Sequence, residues 1–389
     1  MPLLLTVSGA DHPGITAALM ARVQRESARI ADVEQIVVRG QLTLCVVLEG
    51  DVEGSTLIDD LGEIARHHGL ELVARAVGEE SSDGERWVVT LMGDRLGAAH
   101  VADVATVLAG AHANIERMLP LSDVAFSSLE IVAAFPAAAD TDAVRRELLA
   151  VSTRHGCDVA LQREGLYRRA KRLVVMDMDS TLIRIEVIDE LARVHGVVGE
   201  VSQITEAAME GRLDFDESLR RRVALLQGLD EHVLADLAAE LPLTDGAEVL
   251  VRALKRLGYR VAVVSGGFSF AAEALKARLG LDYAHANTLE IEHGKLTGRV
   301  LGTIVNAQRK AELLEEIARK VGLVLDQVIA VGDGANDLLM LQRAGLGIAF
   351  RAKKKLRDAA SASITRGGLD AILPLLGLSA RDLRELARV

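Results

Sequence analysis

Four apolar runs in the second half of the chain, three of which end at or just before polar residues, restrict the possible folds more than any other feature. The runs are LVVM at 173–176, VAVVS at 261–265, VIAVG at 328–332 and LGIAF at 346–350. Strands that are apolar on both faces are typical of parallel sheets covered by helices on each side. We therefore predict an α/β fold with a doubly wound parallel sheet over residues 171–389.

The segment between the first two of these strands is too long for a simple crossover helix. Residues 183–259 are rich in helix formers, as in ELARVHG, ESLRRRVALLQ and LADLAAEL. Long connections inside a compact domain usually carry structure of their own. We predict a helical cap at about 183–259 that covers the edge of the sheet.

The first 165 residues contain an internal repeat. A strand, a turn, a helix and further strands begin at LLLTVSGADHPGITAALM, and the same order returns from WVVTLMGDRLGAAHVADV onward. The polar stretch EESSDGER at 79–86 has the composition of a linker. We predict two small α+β domains, at 1–80 and 85–165.

Carboxylates and hydroxyls collect where the predicted parallel strands end. Asp177 and Asp179 follow the first strand, Ser265 closes the second, and Asp333 and Asp337 follow the third. One Asp at such a position is explained by a helix cap or a turn. Carboxylates or hydroxyls at three strand ends instead indicate a binding site, because ligands of open parallel sheets bind beyond the carboxyl ends of the strands.

These residues match a known pattern in order and spacing. Asp177-Met-Asp179-Ser-Thr, Ser265-Gly-Gly, Lys310 and Gly-Asp333-Gly-Ala-Asn336-Asp337 resemble the four motifs of the haloacid dehalogenase-like phosphatases. Glu186, Met209, Phe215 and Arg222 more narrowly resemble the phosphoserine phosphatase family. The repeat in front of them is similar to a pair of ACT domains, in a ferredoxin-like fold. The resemblance implies a long form with two N-terminal ACT-like domains.

Phosphoryl transfer needs a nucleophile, neutralisation of the phosphoryl oxygens and a proton for the leaving group. Asp177 is the better candidate for the nucleophile, and Asp179, two residues on, can exchange the proton. Mg²⁺, which prefers hard oxygen ligands, fits the carboxylates of Asp177 and Asp333 with the backbone carbonyl of Asp179. Asp337 would orient the metal site, although a helix N-cap explains it equally well.

The remaining predicted contacts serve the substrate. Lys310 would fix the phosphate, and Ser265, the Gly266 amide and Asn336 would donate hydrogen bonds to it. Phosphoserine also carries an ammonium and a carboxylate, which Glu186 and Arg222 can bind. Arg222 lies in the run Arg-Arg-Arg at 220–222, so a solvated helix face is the alternative for it. For Met209 and Phe215 the simpler interpretation is packing inside the cap.

The N-terminal repeat contains a loop that resembles the ligand loop of ACT domains. It reads Gly9-Ala-Asp11-His-Pro13-Gly14, where glycine permits close backbone approach and a helix start attracts a carboxylate. The second copy, Gly93 to Gly97, lacks the Pro-Gly pair. We predict an amino-acid effector, with serine preferred, and a homodimer. The alternative is that both domains serve only in dimerisation.

Composition excludes other classes of function. Aromatic residues are 3% of the chain and the net charge is −11, which argues against a nucleic-acid partner. Two distant cysteines and the lack of a long apolar stretch predict a cytoplasmic protein without a membrane partner. Two other hypotheses stay open. One is a phosphatase or phosphotransferase for a different small phosphate ester, and the other is an amino-acid sensor with a degenerate enzyme domain.

Overall fold

A computed structural model describes residues 2–26, 28–50, 56–78, 84–122 and 127–388. The chain divides into two compact units, Met1–Asp83 and Gly84–Val389. Part of the predicted linker, at 79–83, lies outside the described residues. Within the described residues, none of the helices combines the length and the apolar character that crossing a bilayer would require.

The first unit is a four-stranded antiparallel sheet with two helices. Its elements are β1 (Leu3–Ala10), α1 (Ile15–Val23), β2 (Arg29–Val38), β3 (Gln41–Glu49), α2 (Leu57–His67) and β4 (Leu70–Ala76). The strand order is β2-β3-β1-β4. Alternate residues of β3, from Leu42 to Leu48, pack against both helices and form the core, as expected for a sheet with one buried face.

The second unit begins with the same arrangement. Its elements are β5 (Gly84–Met92), α3 (Ala98–Gly110), β6 (Asn114–Pro120), β7 (Ser128–Pro136), α4 (Thr141–His155) and β8 (Asp158–Arg163). The strand order β6-β7-β5-β8 corresponds strand by strand to that of the first unit. Both sheets have the predicted ferredoxin-like α+β fold.

The rest of the second unit is built on a seven-stranded sheet. Its strands are β9 (Leu173–Met176), β10 (Arg260–Phe268), β11 (Tyr283–Glu292), β12 (Lys295–Leu301), β13 (Val328–Gly332), β14 (Leu346–Phe350) and β15 (Ala362–Ile364). The order is β12-β11-β10-β9-β13-β14-β15, and only β12 runs antiparallel to its neighbour. The predicted parallel α/β fold is confirmed, with three strands that the apolar runs did not show.

Helices surround this sheet and fill the segment between β9 and β10. The helices are α5 (Val187–His195), α6 (Val198–Met209), α7 (Phe215–Ala224), α8 (His232–Ala239), α9 (Ala247–Arg256), α10 (Ser269–Leu279), α11 (Ala307–Lys320), α12 (Leu338–Arg343), α13 (Lys354–Ala359), α14 (Ile372–Leu375) and α15 (Ala380–Arg388). The β11–β12 hairpin contacts the segment after α7, where the Gly228 amide donates to the Leu296 carbonyl.

The central strand has both faces buried. Val174 and Met176 belong to the core on one side of the sheet, and Leu173 and Val175 to the core on the other side. The chain places β10 on one side of β9 and β13 on the other, so the strand order reverses at β9. This reversal brings the carboxyl ends of three strands together, which is where open parallel sheets form their sites.

Candidate active site

A tight turn after β9 holds the first two predicted carboxylates. The Asp177 amide donates to the Val331 carbonyl at 2.9 Å, which keeps the residue in line with the neighbouring strand β13. The chain then closes a π-type turn from Met178 to Leu182, in which Ser180 has a left-handed backbone with φ of 56°. Met178 and Leu182 are buried and anchor this turn. The position of the two carboxylates is therefore fixed by packing beneath them.

Lys310 lies beneath this turn on α11 and is completely buried. Its Nζ forms an ion pair with Oδ1 of Asp177 at 2.8 Å and donates to Oδ1 of Asp337 at 2.8 Å. Burial alone lowers the pKa of a lysine, but the two adjacent carboxylates outweigh it and raise the pKa of Lys310 above its ordinary value. The ammonium is therefore a fixed positive charge beside Asp177.

Three carboxylates converge at the edge of the sheet. Oxygen atoms of Asp177, Asp333 and Asp337 lie within 4.8 Å of one another. The Thr181 hydroxyl donates to Asp333 Oδ1 at 3.0 Å, and the Gly334 amide donates to Asp337 Oδ2 at 3.0 Å. Burial, followed by repulsion from Asp177, raises the pKa of Asp333 to about 6 and also raises that of Asp337.

The charges and donor atoms of this group fit a hard cation. Three carboxylates face one ammonium, so negative charge is in excess at a largely buried site. All side-chain donors are oxygen atoms, which suits Mg²⁺ better than a softer metal. The group includes Asp337, which the sequence analysis placed in a supporting role. The predicted carbonyl ligand of Asp179 stays a prediction, because the group is defined by side-chain atoms alone.

Asp179 lies beside the carboxylate group, between β9 and β10. Its Oδ1 accepts a hydrogen bond from the Val187 amide at 3.4 Å. Burial, and then the charges of Glu186 and Asp177, raise the pKa of Asp179 well above its usual range. A Cβ atom on Gly267 would lie 2.4 Å from Asp179 Oδ2, so only glycine lets β10 approach this closely.

The end of β10 is irregular where it carries the predicted phosphate donors. The pairing of β10 with β11 shifts register between Val264 and Phe268, which indicates a bulge that redirects Ser265 and Gly266. The Gly267 amide donates to Ser265 Oγ at 2.9 Å, which leaves the hydroxyl proton free to point elsewhere. The strand thus continues three residues beyond the end that the sequence predicted.

The side chain of Asn287 supports this bulge and was missed by the sequence analysis. Asn287 is buried on β11, where its amide donates to the Gly266 carbonyl and its oxygen accepts from the Val305 amide, each at 2.8 Å. The sequence offered one weak signal, a polar residue within a segment that forms a strand. That strand was not predicted, so the signal could not be used. Asn287 holds Gly266 at a defined position.

Residues of the helical segment face the same cleft. The Ser180 hydroxyl donates to Glu186 Oε1 at 2.7 Å, which ties Glu186 to the turn after β9. Burial lowers the pKa of Arg222 on α7, and the nearby charges of Asp189, Glu186 and Asp179 oppose that shift. Arg222 is therefore partly buried beside carboxylates rather than on a solvated helix face.

The other predicted residues lie as follows. A Cβ on Gly266 would lie 2.8 Å from the Phe215 ring, so α7 touches the end of β10. Asn336 lies in a short 3₁₀ turn directly after Asp333. The side chain of Met209 is outside the described residues. In the first unit, Gly9 is in β1, Asp11 and Pro13 form the following loop, and Gly14 precedes α1 with φ of 101°.

Comparison with known proteins agrees with this arrangement. Residues 171–345 match the haloacid dehalogenase-like hydrolase model, and residues 1–75 and 86–162 each match an ACT domain. A phosphoserine phosphatase from Streptomyces coelicolor is 43% identical over 389 residues, which cover 98% of this chain and 93% of the relative. The chain belongs to the phosphoserine phosphatase family. The predicted family and the two predicted ACT-like domains are confirmed.

Solved structures of this family extend the comparison. An unliganded probable phosphoserine phosphatase from Vibrio cholerae is 34% identical with a TM-score of 0.61, covering 79% of this chain and 91% of that chain. A phospho-aspartyl intermediate analogue of phosphoserine phosphatase is 48% identical with a TM-score of 0.50, covering 52% and 98%. Membership in this enzyme family argues against the hypothesis of a degenerate enzyme domain.

Proposed function

We propose that this protein hydrolyses L-phosphoserine to L-serine and phosphate, the last step of serine biosynthesis, through an aspartyl-phosphate on Asp177. The observation that carries the proposal is the Asp177 carboxylate, held 2.8 Å from the buried ammonium of Lys310 at the end of the central strand. A carboxylate so fixed can attack phosphorus in line, and the ammonium offsets charge on the phosphoryl oxygens.

The reaction has two steps, each with a proton transfer. An Asp177 oxygen forms a bond to phosphorus while the bond from phosphorus to the serine oxygen breaks, and Asp179 gives its proton to that oxygen. Asp179 then takes a proton from the water that attacks the acyl phosphate, which releases phosphate and restores Asp177. The pKa of Asp179 is raised by burial and by nearby carboxylates, which supports a protonated form before the first step.

Other residues would bind the phosphate and a cation. Ser265, the Gly266 amide and Asn336 would donate to the phosphoryl oxygens alongside Lys310. The oxygens of Asp177 and Asp333, with the carbonyl of Asp179, would hold Mg²⁺, and Asp337 would keep Lys310 in place. Mg²⁺ would supply positive charge that reduces the repulsion between a dianionic phosphate and these carboxylates.

Glu186 and Arg222 would select the amino-acid part of the substrate. Glu186 would bind the ammonium. Arg222 would bind the carboxylate through bidentate hydrogen bonds. Glu186 precedes α5 and accepts a hydrogen bond from the turn after β9, and Arg222 is on α7. The charges of both residues act on Asp179, which supports this assignment.

Replacement of Arg222 with alanine tests the substrate. We expect kcat/KM for L-phosphoserine to fall by about 30-fold or more, since loss of a charged partner costs about 2 kcal/mol or more. Hydrolysis of a phosphate ester without a carboxylate should change little. Arg220→Ala, two residues away on an exposed face, is the matched control. An equal loss on both substrates would mean that Arg222 stabilises α7 and does not bind the carboxylate of the substrate.

The N-terminal domains would regulate and assemble the enzyme. We propose domain boundaries at 1–80, 85–165 and 171–389, with the cap at about 183–259. Strand β2 is exposed along its whole length at the edge of its sheet and carries apolar residues such as Val33, Ile36 and Val38. Exposed edges of this kind favour pairing with a second copy, which supports a homodimer. Serine would bind at the loop from Gly9 to Gly14.

Replacement of Gly14 with valine tests this regulation. The left-handed backbone at Gly14, with φ of 101°, is strained for valine, so the loop should change shape. We expect the non-competitive part of serine inhibition to weaken by about fivefold or more while the dimer persists by light scattering. Ala17→Val, exposed on α1, is the control. If serine inhibits the wild type and both variants equally and only by competition with the substrate, the N-terminal domains serve in dimerisation and not in regulation.

A further inference from the structure

A cavity of about 470 Å³ lies between the second ACT domain and the α/β domain, away from the carboxylate group. We call it the connector cavity. Its walls include Trp87 and Arg145 from the second ACT domain, Arg168 and Lys171 from the connector that follows β8, and Asp326 and Ser361 from the α/β domain. Cavities of this size typically hold one small molecule.

The connector cavity is on the opposite edge of the sheet from the active site. Asp326 precedes β13 and Leu346 begins β14, so the cavity is at the amino ends of these strands. Asp333 follows the other end of β13, a strand of five residues that spans about 17 Å. A ligand in the cavity therefore could not also contact the catalytic carboxylates.

The lining of the cavity is basic, although the whole chain is acidic. It contains four cationic residues, Arg145, Arg163, Arg168 and Lys171, and two carboxylates, Glu164 and Asp326. The difference is +2 within the lining, in a chain whose net charge is −11, and Arg163 and Arg168 also pair with Glu85 and Glu130 just outside it. Burial lowers the pKa of Lys171 to about 8, a shift that a bound anion would oppose.

Several nitrogen atoms in this lining are buried without a hydrogen-bond partner among the described residues. The Arg168 side chain is 2% exposed and donates one hydrogen bond to buried Glu130, but its Nε and Nη1 donate none. Glu164 lies 3.3 Å from Nη1, close enough for attraction but without hydrogen-bond geometry. Arg145 Nε and Trp87 Nε1 are also unpartnered. Unsatisfied buried donors are costly, and an acceptor that reached them from the cavity would satisfy them.

We propose that the connector cavity binds a small dianion, a phosphate or a dicarboxylate, through Arg168, Arg145, Lys171 and the indole N–H of Trp87. The lining carries more cationic than anionic side chains. Its free donors match acceptor oxygens. Because the walls come from two domains, the bound anion strengthens the contact between the second ACT domain and the α/β domain.

Trp87 provides a direct readout, because it is the only tryptophan in the chain. The full-length protein is titrated with inorganic phosphate and, separately, with succinate, while tryptophan fluorescence is recorded against sodium chloride at equal ionic strength. We expect a saturable change with at least one dianion and none with chloride. Saturation by either supports the site, and the tighter of the two identifies the group that it recognises.

The variant Arg145→Gln separates local binding from a distant effect of phosphate in the active site. Arg145 is partly exposed, and its one ion pair among the described residues is a weak surface contact with Asp142, so the variant should fold. We expect its fluorescence midpoint to rise by about tenfold or more. Competitive inhibition by phosphate should be unchanged, because it reports on the active site.

Arg146→Gln, the neighbouring exposed arginine outside the cavity, is the matched control and should keep the wild-type midpoint. Two results would overturn the proposal. One is the lack of any saturable change with either dianion. The other is a midpoint that is the same in the wild type, in Arg145→Gln and in Arg146→Gln.

Discussion

We expect Asp177→Asn to lower kcat for L-phosphoserine by at least about 10⁴-fold, the scale of loss seen when a catalytic nucleophile is removed. The amide matches the carboxylate in shape but cannot form an acyl phosphate at a useful rate. Lys310 keeps its contact with Asp337 in this variant, so the buried ammonium retains one partner. Steady-state phosphate release checks the rate, and thermal unfolding checks the fold.

Asp140→Asn is the matched control for this experiment. Asp140 caps α4 in the second ACT domain and has no contact with the carboxylate group, so the same chemical change there should leave kcat intact. A purified, folded Asp177→Asn protein that keeps more than a trace of wild-type activity would remove Asp177 from the role of nucleophile.

Asp179→Asn should lower kcat by about 10²- to 10⁴-fold, the usual contribution of a general acid or base. An amide can neither give the proton to the serine oxygen nor take one from water. The effect should depend on the leaving group. With p-nitrophenyl phosphate, whose leaving group needs no proton, formation of the phosphoenzyme should recover while its hydrolysis stays slow.

A stopped-flow burst of nitrophenol in the Asp179→Asn variant would record this difference between the two steps. Val187, whose amide contacts Asp179, keeps its backbone in the variant, so the turn should hold its shape. If L-phosphoserine and p-nitrophenyl phosphate lose rate equally and no burst appears, protonation of the leaving group must come from another residue.

The apolar runs predicted the central strands because those strands are buried on both faces. Strands β9, β13 and β14 begin and end close to the predicted residues, since Leu173 to Met176 has no polar position to obscure the pattern. Strands β11 and β12 were not predicted, because most of their residues are only partly buried and polar residues interrupt any apolar run. The bulge that lengthens β10 depends on its pairing with β11, which a local pattern does not contain.

The convergence of the site could be predicted from strand ends, but its supporting contacts could not. Asp177 and Asp333 follow apolar strands, and the rule for parallel sheets brings them together. The contact of Thr181 with Asp333 and of Asn287 with Gly266 joins residues that are far apart in sequence. The place of Asp337 beside Asp177 depends on the short turn that precedes α12, whose geometry its sequence does not specify.

The most direct test of the account is to find where the phosphoryl group goes in a single turnover. The enzyme with Mg²⁺ is mixed with ³²P-labelled L-phosphoserine, quenched in acid, reduced with borohydride and digested with trypsin. Reduction converts an acyl-phosphorylated aspartate to homoserine, so the modified position can be read by fragmentation. We predict homoserine at Asp177, in the peptide that follows Arg172 and ends at Arg184. Homoserine at another residue, or turnover of L-phosphoserine without any labelled enzyme, would contradict the proposed mechanism.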